Sequence, residues 1–139
     1  QSAKIAKLKV NGKYLKIGMT ICYDLRFPHL FRDLALNGAD LITVPSVFMH
    51  ITGKDHWHSL LKARAIETGC YIVAPAQYGH YSNKRKSYGH SLIVSPWGKI
   101  LKDAKTEKNI IIDDIEKRQI EIARSKIPSL FINKKYKID

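Results

Sequence analysis

Residues 16–28, KIGMTICYDLRFP, constrain this chain more than any other stretch. Ile17, Met19 and Ile21 alternate with small or polar neighbours, the pattern of a buried strand that stops at Cys22. Pro28 fits the first turn of a helix, where its missing N–H costs nothing. A cysteine at such a strand-to-helix junction sits on a stiff element near unpaired N–H groups, which favour the reactive thiolate. Free cysteine is more often inert packing. The nucleophile reading of Cys22 therefore leans on the sharply turned, polar sequence after it.

The bulk properties narrow the class. A length of 139 residues with 45% hydrophobic content suits one globular domain with one core. No apolar run reaches membrane-spanning length, and the N-terminus lacks the apolar core of a signal peptide. Gln1 stands in place of an initiator Met, so the chain is read as processed, cut from something longer, or numbered from within it. Cys22 and Cys70 make no disulfide framework, so a reducing cytoplasm is expected, and no Cys/His spacing resembles a zinc site. The net charge of +12 raises nucleic acid as a partner. Of the 24 basic residues 18 are Lys, however, spread over the chain, with small clusters at Lys4-Lys7-Lys9, Lys84-Arg85-Lys86 and Lys134-Lys135-Lys137. Without interleaved aromatics or a recognition-helix pattern, a solvated Lys-rich surface is the better reading.

The order of elements reads β-α-β-α-β-β-β. Residues 6–18 form a hairpin turned by Asn11-Gly12. A helix is predicted over 27–37, ended by Gly38, and a short strand over 40–44, closed by Pro45. Residues 46–54 read as a loop, where α/β proteins often place a substrate site. A helix over 55–68 is capped by Asp55 and stopped by Gly69. Strands follow at 70–76, 88–95 and 99–102, with a loop at 77–87. A strand at 109–115 and a helix at 116–126 precede a tail without core pattern. Alternating strands and helices predict a layered α/β fold.

Several stretches together resemble the nitrilase (carbon–nitrogen hydrolase) superfamily, most closely its Nit-type amidase branch. They are ICYDLRFPHLFR at 21–32, GADLITVPSVF at 38–48, HWHSLLKARAIETGCYIVAPAQ at 56–77, GHSLIVSPWGKIL at 89–101 and ARSKIPSL at 123–130. The resemblance implies part of an α-β-β-α four-layer sandwich, with residues 1–139 a single, N-terminally truncated domain. It implies hydrolysis of a small linear amide to acid and ammonia through a thioester on Cys22, with no metal and no cofactor. The Tyr23 backbone N–H becomes an oxyanion donor, worth about 3–4 kcal/mol of barrier in comparable acyl transfer. The family also uses a Glu base and an oxyanion-binding Lys from sequence before the nucleophile strand. No Glu precedes Cys22 here, and no Lys there matches the family motif. The chain thus resembles the C-terminal half of such a domain. A homo-oligomer, or a companion chain supplying the other half, is implied as partner, and an inactive remnant is the alternative.

Other residues carry paired readings. Glu67, in RAIE, is read as structural beside Arg64, and His90 as structural. Asp24 orients the elbow or pairs with Arg26. Arg26 alternatively meets a substrate carboxylate. Phe48 and Gln77, at strand ends, line a pocket or simply pack. His56, Trp57 and His58 suggest a surface or subunit contact, and Cys70 a core hydrophobe.

Overall fold

In a computed structural model, residues 3–82, 85–132, 134–135 and 137–138 are described. Lys84 and part of the C-terminal tail lie outside them. The hairpin forms as its sequence requires. β1 (Lys4–Val10) and β2 (Lys13–Met19) pair antiparallel, with Asn11 and Gly12 at φ 49° and 77°. Two central residues at positive φ match the right-handed twist of the flanking strands. α1 (Pro28–Leu36) then leads to β3 (Leu41–Thr43), and α2 (His50–Thr68) leads to β4 (Tyr71–Ala74). β2, β3 and β4 are parallel neighbours. Two successive crossovers of the same hand, stepping in one direction, put both helices on one face of the sheet.

The remaining strands are β5 (Tyr78–Ser82), β6 (Arg85–Tyr88), β7 (Leu92–Val94) and β8 (Ile100–Asp103). The main sheet runs β1-β2-β3-β4-β7-β8, and β5-β6 is a separate hairpin. α3 (Lys117–Lys126) follows, and a short 3-10 turn, Pro128–Phe131, buries Leu130. The core fills the space between helices and sheet: Phe31, Leu34, Trp57 and Leu61 meet Ile42, Val44, Ile72 and Val94. On the other face Ile120 of α3 covers Leu41 and Tyr71.

Several expectations are corrected. Within β2 the buried residue is Gly18, and Met19 is 55% exposed. A Cβ at Gly18 would lie 3.2 Å from Ile42 Cγ1 and Leu34 Cδ1, so the helix-facing side of β2 has no room for a side chain. Residues 109–115 form no strand, and Ile110 and Ile112 are 84% and 78% exposed, because no described strand lies beside them. The 77–87 loop is the β5-β6 hairpin. The strand expected over 88–95 is broken by Gly89 and His90, both at positive φ. The start of the tail, residues 128–132, is held, with the Arg32 guanidinium donating to the Ser129 and Ile132 carbonyls.

α2 begins at His50, five residues before the expected Asp55 cap, and runs through Gly53. Glycine normally weakens a helix, but here it is needed for close approach. A Cβ at Gly53 would overlap Cβ and Cγ of Tyr88. Gly53→Ala adds about 1 kcal/mol of helix propensity but overpacks this contact at about 1–3 kcal/mol. We expect the clash to win, lowering the melting temperature by roughly 3–7 °C in a thermal scan. An unchanged or raised melting temperature would mean that Tyr88 moves aside freely.

Candidate active site

The parallel strands β2, β3 and β4 end at the same edge, and the chain beyond each keeps their ladder going. The Cys22 N–H donates to the Pro45 carbonyl (2.9 Å), Ser46 N–H to Pro75 (2.9 Å), and Gln77 N–H to Ser46 (3.0 Å). These links set Cys22, Ser46 and Gln77 side by side. Together with Ile21, Pro45, Val47, Pro75, Ala76 and Ser91 they line a cavity of about 500 Å³. A cleft at the carboxyl ends of parallel strands is where α/β proteins place ligands.

Cys22 adopts φ 48°. A left-handed conformation costs a non-glycine residue roughly 1–2 kcal/mol and is held only where surrounding structure enforces it. Three features do so. The Cys22 N–H is tied to Pro45. The Asp24 carboxylate accepts the Ile21 N–H at 2.9 Å, bracing the turn from the other side. A 3-10 turn, Cys22–Arg26, follows at once, and its Leu25 carbonyl receives both Arg64 Nε–H (3.0 Å) and Nη2–H (2.8 Å). Arg64 is buried and also pairs with Glu67 at 2.9 Å. The Tyr23 N–H, next in the turn, donates to no acceptor among the described residues.

The other expected residues fall as follows. Gln77 lines the cavity, and its side-chain carbonyl accepts the Tyr81 hydroxyl at 2.8 Å. Phe48 is not in the cavity wall: it is buried, with its ring 4.9 Å from Trp57. Arg26 is also outside the wall, lying over the Tyr23 and Phe48 rings and 3.5 Å from His56 Nδ1. Asp24 makes no ion pair with Arg26 among the described residues. Cys70 is buried in the core, its thiol pushed up by desolvation although Arg124 lies beside it. The sequence reading missed Arg64, whose partner carbonyl is 39 residues away, and Ser46 and Ser91 of the wall, which carry no local signal.

A second polar cluster joins α2 to β8. The Asp103 carboxylate contacts His90 Nδ1 at 3.0 Å, Lys105 Nζ at 2.9 Å and His58 Nε2 at 3.4 Å. His58 thus makes an internal contact, from α2 to Asp103. Burial disfavours the ionised Asp103, but bonds from the Lys105 side chain and backbone and from His90 outweigh it. They hold the carboxyl well below the usual carboxylate range. A carboxyl depressed in the folded state adds stability that is complete above its unfolded pKa of about 3.9 and is lost as pH falls through the folded value. Asp103→Asn is expected to cost about 1–3 kcal/mol at pH 7. The gap from wild type should narrow below about pH 4 in denaturant titrations. A gap independent of pH would mean that the charge is irrelevant.

A braced turn at the carboxyl edge of three parallel strands, opening on an apolar cleft, marks the chain as a layered α/β fold with a ligand-sized site at its strand ends. The chain belongs to the carbon–nitrogen hydrolase family, which its residues 3–124 match. It is 47% identical over 114 residues to the deaminated glutathione amidase of Synechocystis, a match covering 82% of this chain and 42% of that protein. The C. elegans NitFhit protein superposes with a TM-score of 0.81 at 40% identity, covering 85% of this chain and 29% of that one. Saccharomyces cerevisiae Nit3, a member of branch 10 of the nitrilase superfamily, gives 0.82 at 34% identity, covering 92% and 46%. The chain thus spans less than half the length of these relatives. Among the described residues no helix is long and apolar enough to cross a membrane.

Proposed function

We propose that this chain carries the nucleophile half of an amidase, and that Cys22 attacks the carbonyl carbon of a small linear amide. The new C–S bond gives a tetrahedral oxyanion beside the Tyr23 N–H. The C–N bond then breaks, the amine leaves with the thiol's proton, and a thioester remains. Water adds to the thioester, the C–S bond breaks, and the acid is released with the thiol restored. The strained Cys22 at the cleft edge is the observation that carries this reading. The naming of a 47%-identical relative as a deaminated glutathione amidase supports a peptide-like amide bearing carboxylate. Arg26, held over two aromatic rings outside the cleft, is a poor candidate for binding that carboxylate.

Proton transfer by a general base is typically worth about 10²–10⁴-fold. The Glu and Lys expected from the resemblance belong to sequence not present in these 139 residues. We place them on the remainder of a longer domain or on a companion chain. The second reading is a remnant without turnover.

The test is the alkylation rate of each thiol against pH, read by intact mass, with buried Cys70 as the internal reference. Modification of Cys22 faster than that of a free model thiol under the same conditions, while Cys70 stays protected, supports a formed nucleophile site. A Cys22 rate no faster than the model thiol's would overturn it and leave the remnant reading.

A further inference from the structure

We propose that His58, His90 and Asp103 form a binding site for a divalent transition-metal ion, zinc above all, separate from the Cys22 cleft. The three residues are remote in sequence. His58 and His90 stand 45 and 13 residues from Asp103, so no motif spacing announces them. The fold brings one ligand atom of each within 4.8 Å of the others. Tetrahedral zinc with arms of about 2.0–2.1 Å sets its ligand atoms roughly 3.3 Å apart. Two edges of the triangle already match, with Asp103 Oδ2 at 3.4 Å from His58 Nε2 and at 3.2 Å from His90 Nδ1. The third edge, between the two imidazoles, is no longer than 4.8 Å, and His58, on a partly exposed side chain, would close it by moving toward His90.

The ligands are held from behind as metal ligands generally are. The Lys105 N–H donates to Asp103 Oδ1 at 2.8 Å and orients the carboxylate. The His90 ring stacks on Tyr88 with centroids 4.4 Å apart, and its carbonyl accepts the Trp57 indole N–H at 2.8 Å. The two imidazoles are partly exposed, which leaves a corner of the tetrahedron open to water. Two imidazoles and one carboxylate select zinc and its neighbours over magnesium or calcium, which prefer all-oxygen ligands. The Lys105 ammonium lies 2.9 Å from the same Asp103 oxygen, Oδ2. Its side chain is exposed and free to swing away, so lysine and metal compete for one carboxylate. A bound ion would staple α2 to the start of β7 and the end of β8, one residue from the cleft-lining Ser91.

The test is titration of the untagged chain with Zn²⁺ by calorimetry and with Co²⁺ by visible absorption, in a Cys22→Ser background so that the thiol cannot contribute. We expect one equivalent to bind and Co²⁺ to give the strong bands of a tetrahedral site. His58→Gln should weaken Zn²⁺ binding by at least about 10–100-fold. Lys105→Gln should tighten it, a gain that a purely structural His-Asp-His contact would not produce. Should His90 variants fail to fold, His58→Gln and Lys105→Gln, both changed at partly or fully exposed side chains, still decide the matter. No saturable binding, or binding indifferent to both substitutions, would overturn the proposal.

Discussion

Cys22→Ala is expected to remove all fast alkylation and any amide hydrolysis the chain supports, alone or completed by a partner. Removing the nucleophile of an acyl-transfer enzyme costs roughly 10⁶-fold in turnover, since the remaining groups act only through it. The same change should hardly affect stability. Cys22 is only partly buried, its N–H bond to Pro45 is made by backbone, and alanine occupies the left-handed region at about the same cost as cysteine. A shift in melting temperature beyond about 3 °C would show that the side chain packs as well as reacts. Cys70, the thiol that remains, should stay unmodified, because it is enclosed by the core. Hydrolysis surviving in the variant would place the nucleophile elsewhere.

The second large effect is expected at Arg64. Its guanidinium gives two bonds to the Leu25 carbonyl, one to Glu67, and lies 5.4 Å from the Phe31 ring centre. Arg64→Ala leaves a buried carbonyl without its donors and opens a void beside Phe31. Charge-assisted bonds contribute about 1.5–3 kcal/mol each, not additively when they share an acceptor. We expect a loss of about 2–4 kcal/mol, or roughly 6–15 °C in melting temperature. Glu67→Gln is the control. Glu67 is 39% exposed, so its pairing is screened, and the change should cost less than about 1 kcal/mol. Arg64 holds the turn that begins at Cys22, so the loss should also slow Cys22 alkylation toward that of an ordinary thiol. A destabilised variant with unchanged Cys22 reactivity would show that Pro45 and Asp24 hold the turn by themselves.

These two residues mark the boundary between what could be read early and what could not. Cys22 announced itself through consecutive neighbours: an apolar run before it, a polar turn after it, and Pro28 to start a helix. Arg64 sits in a helix whose stripe reads as packing, and only the fold shows a carbonyl waiting for it. Glu67 reads correctly as its neighbour because a pair three residues apart on a helix is a local relation. Phe48 lies outside the cleft wall because position at a strand end does not say which way a side chain turns.

The sequence by itself determined the hairpin at Asn11-Gly12, the alternation of strands and helices after it, the glycine stop at Gly69 and, through five matching stretches, the family. Each follows from neighbours within a few residues, where backbone dihedrals, caps and hydrophobic period act directly. Only the tertiary structure decided that Gly18 rather than Met19 faces the helices, that the isoleucines of 109–115 lack a strand partner, that α2 begins at His50, and that His58, His90 and Asp103 meet. Those outcomes depend on which surfaces arrive opposite one another across tens of residues. Excluded volume and pairing between distant segments settle them, and neither leaves a trace in the local sequence.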